Sequence, residues 1–257
     1  MDPFPEDREA GEDYAGFDLN TYRKFMVAFR IPQYERDISF LREYAPGGRL
    51  LDVGCGTGEF LDVAGRNGFQ PYGLEPSRKA YDIARKGRKV VRGELRNVEF
   101  KEEFFDAVTL WSVLEHIPAP SPFLGRIRTI LKRGGILALR LPDAKGLLTS
   151  LALCLYKISL GRIASPLSVL YQLDWHYKHF YGYDRRTAGR LLDANGFEVI
   201  GLRSEIGFDY RSLDLRLDYI SGNRFARKAV RGALGAVSIL AKLLRKEDEL
   251  VLIARKT

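Results

Sequence analysis

Three glycines alternate with other residues directly after a short apolar run. Residues 50–53 predict a buried strand, and residues 59–67 have the apolar spacing of a helix. Gly54, Gly56 and Gly58 fill the turn between them. Glycine suits such a turn because it adopts positive φ and lets a ligand approach the backbone above the positive end of a helix. The segment therefore predicts a loop that binds a cofactor.

The spacing of the glycines indicates the class of cofactor. A dinucleotide-binding turn has the pattern G-x-G-x-x-G, which would need a third glycine at position 59, where this chain has Glu59. Glu59 and Asp52 would put negative charge where a dinucleotide brings its own pyrophosphate. A nucleoside with an ammonium group and little or no phosphate suits the loop better, and S-adenosylmethionine has that chemistry. We therefore predict that S-adenosylmethionine contacts Asp52, Gly54, Cys55, Gly56, Thr57 and Gly58.

A further carboxylate, Glu75, ends the next predicted strand, residues 70–75. It follows Gly58 by 17 residues. A carboxylate at this place can accept hydrogen bonds from both ribose hydroxyls of a nucleoside, and it would repel a 2′-phosphate. A solvated acid at the strand end is the alternative interpretation. The joint spacing with the glycine loop favours the ribose contact, so Glu75 and the adjacent Pro76 join the predicted cofactor site.

The chain has only three histidines, and all lie in two segments expected at the mouth of the site. His116 follows a predicted fourth strand, residues 106–111, and His176 and His179 lie in an aromatic segment, residues 174–184. An unperturbed imidazole titrates near pH ~6.5, so it can accept a proton at neutral pH. A lone histidine is more often structural. The shared location nevertheless makes His116 and His179 the predicted catalytic residues, with His176 a weaker candidate.

The predicted elements that position these groups alternate between strands and helices. Such β-α repeats with short turns require right-handed crossovers and a parallel sheet. Open parallel sheets bind ligands at the carboxyl ends of their strands, which adds Trp111 and Ser112 to the predicted cofactor site. Two later strands, residues 197–202 and 249–254, are predicted to pair antiparallel.

Length and composition predict one main α/β domain. The chain has 257 residues, of which 46% are hydrophobic, enough to bury a full core. Its two cysteines, Cys55 and Cys154, are too few for a disulfide framework, so a reducing, cytoplasmic location is expected. Residues 1–18 are acidic and lack the basic-then-apolar pattern of a secretory signal. We predict a flexible acidic arm over residues 1–20 and the folded domain over residues 21–257.

The charge is strongly positive outside the arm. The net charge is +8, and because the first eighteen residues contribute −6, the rest of the chain carries +14. Such a surface favours anionic partners, namely nucleic acid, phosphorylated metabolites or anionic lipid. Solubility alone explains the charge about equally well.

Two segments depart from a plain α/β repeat. The insert at residues 146–183 is apolar in its first part, but its uncharged run is too short to span a bilayer. A buried helical pair, a lid over the substrate and a segment at a membrane interface all fit this composition. Residues 224–246 predict a basic amphipathic helix, because they hold seven Lys or Arg residues, no acidic residue and an apolar stripe.

Five motifs, in order along the chain, resemble those of one enzyme family. They are L-D-V-G-C-G-T-G-E-F-L from Leu50, G-L-E-P-S from Gly73, F-D-A-V-T-L-W-S-V-L-E-H-I-P from Phe105, L-K-R-G-G from Leu131 and H-F-Y-G-Y-D from His179. Together they resemble class I S-adenosylmethionine-dependent methyltransferases, in particular the subgroup with ubiquinone-biosynthesis O-methyltransferases and bacterial small-molecule methyltransferases. The N-P-P-Y type motif of amino-methylating nucleic-acid enzymes is absent after the fourth strand.

The resemblance implies a Rossmann-like α/β fold with helices on both faces of a seven-stranded sheet, mostly parallel with one antiparallel C-terminal strand. It also implies that Glu94 and Leu95 contact the cofactor, because the family commonly holds an acidic residue there near the adenine. Some relatives bind a divalent metal through E-x-x-E-H after the fourth strand. Here Ser112 takes the first position and leaves only Glu115 and His116, and two ligands seldom hold a metal. We therefore expect no metal.

The combined interpretation is a cytoplasmic S-adenosylmethionine-dependent methyltransferase that releases S-adenosylhomocysteine. We predict O-methylation of a small-molecule or lipid-like acceptor, including one that bears phosphate. The apolar insert and the basic helix add a hypothesis of peripheral contact with an anionic membrane at its inner face. Two alternatives are an RNA methyltransferase, attracted to its substrate by the basic surface, and a non-catalytic cofactor-binding or assembly subunit. Nucleic acid is the less favoured partner because the chain has no added nucleic-acid module.

Overall fold

The computed structural model describes residues 30–171, 178–207 and 224–257. Seven strands in these ranges form one sheet. They are Gly48–Val53 (β1), Phe69–Glu75 (β2), Lys89–Arg92 (β3), Phe105–Trp111 (β4), Leu131–Pro142 (β5), Phe197–Glu205 (β6) and Glu249–Lys256 (β7). Their spatial order is β3-β2-β1-β4-β5-β7-β6.

Eight α-helices lie within the described ranges, with a short 3-10 turn at Leu114–His116. The helices are Ile31–Arg42 (α1), Glu59–Arg66 (α2), Arg78–Ala84 (α3), Pro120–Ile130 (α4), Leu147–Ile158 (α5), Ser165–Leu170 (α6), Arg185–Ala194 (α7) and Arg224–Leu243 (α8). Side-chain caps explain two of their starts. Ser77 accepts a hydrogen bond from a backbone N–H of α3, and Asp184 and Thr187 form a capping box at α7.

The strand directions place several chain turns at one edge of the sheet. β1 pairs in parallel with β2 and β4, β2 pairs with β3 and β4 with β5, whereas β7 runs antiparallel between β5 and β6. This confirms the predicted sheet, mostly parallel with one reversed C-terminal strand. In the register, Asp52 of β1 stands beside Thr109 of β4. The carboxyl ends of β1, β2 and β4 therefore meet where the predicted cofactor residues follow each strand.

Apolar residues of the strands divide between two clusters. Leu51 and Val53 of β1 pack in a cluster that includes residues of α4 and α7. Leu50 packs in a second cluster with residues of α1 and α2. Because successive side chains of a strand point to opposite faces, the clusters lie on the two faces of the sheet. Helices therefore cover both faces, as predicted.

A buried arginine in β5 holds α1 against the sheet. The Arg140 side chain is only 1% exposed, and its guanidinium donates to Asp37 at 2.5 Å, to Glu205 at 2.8 Å and also to Glu249. The sequence pattern predicts Asp37 as a helix cap, and this prediction is wrong. Asp37 lies inside α1 and is fully buried, because its partner is Arg140 rather than a backbone N–H at a helix start.

The apolar insert and the basic segment form helices that touch each other. α5 and α8 are in contact, and the Leu147 N–H at the start of α5 donates to the Lys246 carbonyl at 2.8 Å. α8 ends at Leu243, three residues before the predicted end. Leu244, predicted on its apolar stripe, is 52% exposed. Among the helices of the described ranges, none combines the length and the apolar character needed to cross a bilayer.

Candidate cofactor and catalytic site

The glycine loop has the backbone conformation that its sequence predicts. Gly54, Gly56 and Gly58 have φ angles of +75°, +56° and +89°. Side chains rarely tolerate such angles, so other residues would be strained here. A Cβ atom on Gly54 would also lie 2.9 Å from a methyl carbon of Val113. The loop therefore presents bare backbone at the N-terminus of α2, where a ligand can come close.

Glu75 closes the loop from the end of β2. Its side chain is buried and accepts hydrogen bonds from the Gly56 N–H at 2.8 Å and the Ser77 N–H at 2.9 Å. Burial raises the pKa of Glu75 to about 7, although the two N–H donors oppose this shift. The structure thus brings Glu75 to the glycine loop. Its contact with ribose stays a prediction, and each carboxylate oxygen retains a second lone pair for it.

Asp52 lies beneath the loop as a buried acid. It accepts a hydrogen bond from the Thr109 hydroxyl at 2.7 Å. Burial is the main cause that raises the pKa of Asp52 to about 8, and the nearby Glu75 adds to it. Asp52 is therefore largely protonated at neutral pH, so most of the negative charge that the sequence argument assigned to it is absent. Glu59 is held by the Thr57 hydroxyl at 2.6 to 2.7 Å.

The side chains of several predicted cofactor residues have structural contacts instead. Cys55 is buried beside Gly73, where a Cβ atom would lie 2.7 Å from the Cys55 sulfur. Leu95 is part of the apolar core, and Glu94 forms an ion pair with Arg96 at 2.6 Å. These residues can therefore meet a cofactor mainly through backbone groups. Pro76 is half-buried between β2 and α3.

The end of β4 carries two unusual features. The Trp111 ring packs edge-on against Phe60 with centroids 5.2 Å apart, and its buried indole N–H has no hydrogen-bond partner among the described residues. Ser112 has a φ angle of +57°, which is uncommon for a residue with a side chain. Such backbone conformations cost about 1–3 kcal/mol and cluster at functional sites. The turn at Ser112 directs the chain into the 3-10 segment that carries His116.

The structure brings together the two histidines predicted to be catalytic. The rings of His116 and His179 lie edge to face with centroids 4.8 Å apart. His116 Nδ1 lies 3.2 Å from the Lys178 carbonyl oxygen, and the Phe180 N–H donates to the Glu115 carbonyl at 2.8 Å. The aromatic segment is thus fastened to the turn after β4. The third histidine, His176, lies outside the described residues.

Glu115 joins this histidine pair, although the sequence argument considered it only as a metal ligand. The side chain is 1% exposed, and neither carboxylate oxygen has a hydrogen-bond partner among the described residues. Burial raises the pKa of Glu115 to about 8. Burial, together with the charge of His116, lowers the pKa of His179 to about 4, so His179 is neutral at physiological pH. Glu115 directly precedes His116 in the chain. This adjacency is the sequence signal that could have indicated that Glu115 lies beside the histidine pair.

Glu115, His116 and His179 also form a donor set that could hold a metal. One ligand atom from each lies within 4.8 Å of the others. One carboxylate and two imidazoles suit a transition-metal ion, which would act as a Lewis acid on an acceptor oxygen. The sequence motif predicts two donors, Glu115 and His116, whereas His179 is distant in the chain and joins them only in the fold. The expectation that no metal is needed stays a prediction.

The residues at this edge of the sheet fit S-adenosylmethionine. The glycine turn keeps side chains off its backbone at positive φ, while the Trp111 indole N–H and the Glu115 carboxylate lack partners in the described ranges. A nucleoside with an amino-acid tail offers both donors and acceptors for such groups. A surface cavity of about 660 Å³ lies elsewhere, between α2 and the β2–β3 edge, and none of the predicted cofactor residues lines it.

The Glu75 carboxylate gives a first testable prediction. Because its pKa is about 7 and a ribose hydroxyl donates best to the ionised form, S-adenosylmethionine should bind more tightly as pH rises. Between pH 6 and pH 8 we expect a gain of about tenfold in affinity. Glu75→Gln should weaken binding at pH 8 by about 10- to 100-fold and remove this pH dependence. Isothermal titration calorimetry measures both effects.

A matched variant separates the local effect of Glu75 from a general effect of charge. Glu198→Gln removes an exposed carboxylate from β6 and should leave both the affinity and its pH dependence unchanged. An unaltered affinity in Glu75→Gln would show that Glu75 only supports the loop and does not contact the ribose.

Comparison with protein families places these motifs in a known domain. Residues 26–202 match the family model described as "Methyltransferase domain". The match covers the glycine loop, the end of β2 and the segment with His116 and His179. The match covers more than half of the chain and therefore shows the family to which the chain belongs.

Curated relatives match over shorter stretches. An uncharacterized protein of Methanocaldococcus jannaschii is 31% identical over 115 residues, covering 43% of this chain and 52% of that protein. A ubiquinone biosynthesis O-methyltransferase of Bradyrhizobium is 34% identical over 97 residues, covering 35% of this chain and 38% of that enzyme. The chain thus spans about half or less of the length of these relatives.

Solved structures share the fold over nearly the whole chain. An S-adenosylmethionine-dependent methyltransferase of Thermotoga maritima, described as a possible histamine N-methyltransferase, superposes with a TM-score of 0.61 at 20% identity. The superposition covers 93% of this chain and 96% of that structure. The matched domain, the sheet order and the glycine loop all indicate the same family. This chain therefore belongs to the class I S-adenosylmethionine-dependent methyltransferases.

Proposed function

We propose that the enzyme transfers the methyl group of S-adenosylmethionine to a hydroxyl oxygen of a small-molecule or lipid-like acceptor. The observation that carries this proposal is the position of His116 in the 3-10 turn after β4, with its ring against His179 and its Nδ1 3.2 Å from the Lys178 carbonyl oxygen. A hydroxyl acceptor needs a base, and an imidazole can act as one at neutral pH. The acceptor itself is defined by chemical class only, and a phosphate on it would suit the basic protein surface.

Methyl transfer from a sulfonium sets few demands on the protein. The acceptor oxygen attacks the methyl carbon in line with the S–C bond, which breaks as the electron pair returns to sulfur. The leaving group is a neutral thioether and needs no acid to help it depart. The protein must therefore align the acceptor, exclude water and remove the hydroxyl proton. The last task separates O-methylation from reactions that start from a neutral amine with a free lone pair.

The His116 tautomer follows from its hydrogen-bond partner. The Lys178 carbonyl oxygen can only accept, so His116 Nδ1, 3.2 Å away, must carry the proton of the neutral imidazole. Nε2 is then the unprotonated nitrogen of the ring, the one that can accept a proton from the acceptor hydroxyl. This arrangement, in which one ring nitrogen is fixed by a carbonyl while the other performs chemistry, is common for catalytic histidines.

The neighbouring groups favour His116 over His179 as the base. A pKa lowered to about 4 makes His179 a weak proton acceptor at neutral pH. A carboxylate oxygen of Glu115 lies within 4.8 Å of a ring nitrogen of each histidine, and neither carboxylate oxygen has a hydrogen-bond partner among the described residues. Glu115, with its pKa raised to about 8, is largely protonated at neutral pH, and a proton on His116 would favour its ionised form.

The sequence comparison supports oxygen as the methylated atom. The Bradyrhizobium relative, 34% identical over 97 residues, carries the name of an O-methyltransferase. Its matched region is a minority of that enzyme, so its substrate is not transferred to this chain. The histamine N-methyltransferase name of the Thermotoga structure belongs to a protein only 20% identical, a likeness that concerns the fold alone.

An extract assay with a labelled methyl donor tests the proposed reaction. The purified full chain is incubated with S-adenosylmethionine labelled in its methyl group and with a metabolite and lipid extract. We expect label in a small molecule or lipid as an ether or ester, identified by mass spectrometry. Label on a nitrogen, or label recovered only in added RNA, would overturn the proposal. Tight cofactor binding without transfer to any extract would instead indicate a non-catalytic subunit.

A further inference from the structure

Exposed apolar side chains of this protein are concentrated on two helices. Ten of the thirteen large hydrophobic side chains that are exposed in the described ranges belong to α5, α8 and the residues directly after them. Ile158 is 78% exposed, Leu160 86%, Ile239 63% and Leu243 75%. Scattered exposed leucines are ordinary, but a concentration of this kind marks an interaction surface.

The two helices form one continuous feature. The end of α8 is tied to the start of α5, because the Leu147 N–H donates to the Lys246 carbonyl and the Leu148 N–H donates to Asp248 at 3.1 Å. We define the α5–α8 surface by its exposed aliphatic side chains. They are Leu151, Leu155, Ile158, Leu160, Ile239, Leu240, Leu243 and Leu244.

The packing of α8 explains why its large residues point outward. Its buried positions near the C-terminal end are the small residues Gly235, Ser238 and Ala241. The side of α8 that packs against the rest of the protein therefore carries only small side chains near this end. Positions 239 and 243, and likewise 240 and 244, are four residues apart and lie one above the other on the remaining face. The aliphatic side chains there gain nothing from the core of the protein itself.

Most charged residues of these two segments are basic, and the nearest acids, Glu247 and Asp248, follow α8 and are partly buried. The sequence ranges 145–171 and 224–246 contain ten lysines and arginines and no aspartate or glutamate. Lys242, Arg245 and Lys246 are exposed beside the aliphatic residues at the end of α8. Exposed aliphatic groups next to exposed cations are the composition of helices that lie in the headgroup region of an anionic bilayer.

We propose that the α5–α8 surface binds an anionic lipid bilayer and lies on it without spanning it. A second copy of the chain is a poorer occupant, because a two-fold contact would set cations against cations. Nucleic acid is also poorer, because it offers phosphates to the cations but no apolar layer for eight leucines and isoleucines. The proposal does not rest on the methylated atom, since binding is measured without turnover.

Vesicle co-sedimentation of the full chain tests the proposal. Vesicles of phosphatidylcholine with phosphatidylglycerol at about three to one are compared with vesicles of phosphatidylcholine alone. We expect binding to the anionic vesicles, at least tenfold weaker binding to the neutral ones, and loss of affinity at high salt. Equal binding to both kinds of vesicle, or no binding to either, would overturn the proposal.

Matched variants locate the surface. Replacing Lys242, Arg245 and Lys246 together by glutamine should weaken binding by on the order of 100-fold, at about fivefold per cation. Replacing Lys86, Lys101 and Arg133 by glutamine removes the same charge from other exposed positions and should change the partition far less. Equal losses in the two triple variants would show a general charge effect and would overturn the assignment of this surface.

The native cysteines offer an independent readout of contact. Cys154 is exposed on α5, whereas Cys55 is buried with its pKa raised by burial, so a thiol-reactive fluorophore labels Cys154 selectively. Anionic vesicles should shift the emission of this label to the blue. A label at Lys86→Cys in a Cys154→Ser background should not shift. Vesicle binding with no emission shift at Cys154 would place the contact elsewhere and overturn the proposal. Dimerisation or RNA binding that abolishes the vesicle-induced emission shift would also overturn it.

Discussion

Replacing Arg140 by alanine is expected to lower the free energy of unfolding by about 3–5 kcal/mol. The reason is the burial of its three carboxylate partners. Asp37 is fully buried, and Glu205 and Glu249 are only 13% and 15% exposed at their side chains. Without the guanidinium, Asp37 and Glu205 keep Arg203 at 3.1 and 2.8 Å, and Glu249 keeps the Gln33 amide at 2.9 Å. The three acids must then bury charge that is only partly compensated or take up protons. Chemical denaturation followed by circular dichroism measures the change.

Two further variants separate charge from packing in this network. Arg133→Ala removes an arginine whose side chain is 92% exposed and should change stability by less than about 0.5 kcal/mol. Adding Asp37→Asn to the Arg140→Ala variant should restore part of the loss, because it removes one buried carboxylate charge that Arg140 had neutralised. If the double variant is as unstable as the single one, the loss comes from the cavity rather than from the charges.

Replacing His116 by alanine is expected to lower kcat by about 10²- to 10⁴-fold, the range that a general base contributes. The affinity for S-adenosylmethionine should stay the same, because the His116 ring contacts the aromatic segment and lies outside the glycine loop. His179→Ala should cost less in kcat, since His179 is the weaker base. Rates with the acceptor found in the extract assay, together with titration of the cofactor, check these expectations.

The same assay distinguishes a base from a metal ligand. Added imidazole should partly restore turnover of His116→Ala if the missing group is a proton acceptor. A chelator should leave the native enzyme unchanged, in keeping with the prediction that no metal is needed. Loss of turnover in chelator and its recovery with zinc would instead assign His116, Glu115 and His179 to an ion.

The local patterns of the sequence predicted most of the fold of this protein. The glycine loop and the order of strands and helices follow from short-range signals, whereas the reversed C-terminal strand is implied by the family resemblance. Apolar period, glycine at positive φ and turn length are set by residues close together in the chain. The positions of Glu75 at the loop and of His116 after β4 follow from the same rule, because parallel strands end at one edge of the sheet.

Pairing between distant residues decided the rest. Asp37 and Arg140 are 103 residues apart, so a pattern of local caps predicted the wrong role for Asp37. His179 meets His116 and Glu115 only because the aromatic segment folds back onto the turn after β4. The sequence argument therefore counted two possible metal donors where the structure offers three.

The ionisation of the site likewise depends on tertiary structure. The sequence shows that Asp52, Glu75 and Glu115 are acids, but only burial in the folded chain raises their pKa values to about 8, 7 and 8. Tertiary packing also decides which face of α8 is exposed. The small residues of the helix pack against the protein, and its large aliphatic residues therefore face outward. Residue types and local spacing thus determined the family and the order of strands and helices. Burial and long-range contacts determined which groups carry charge and which surface stays exposed.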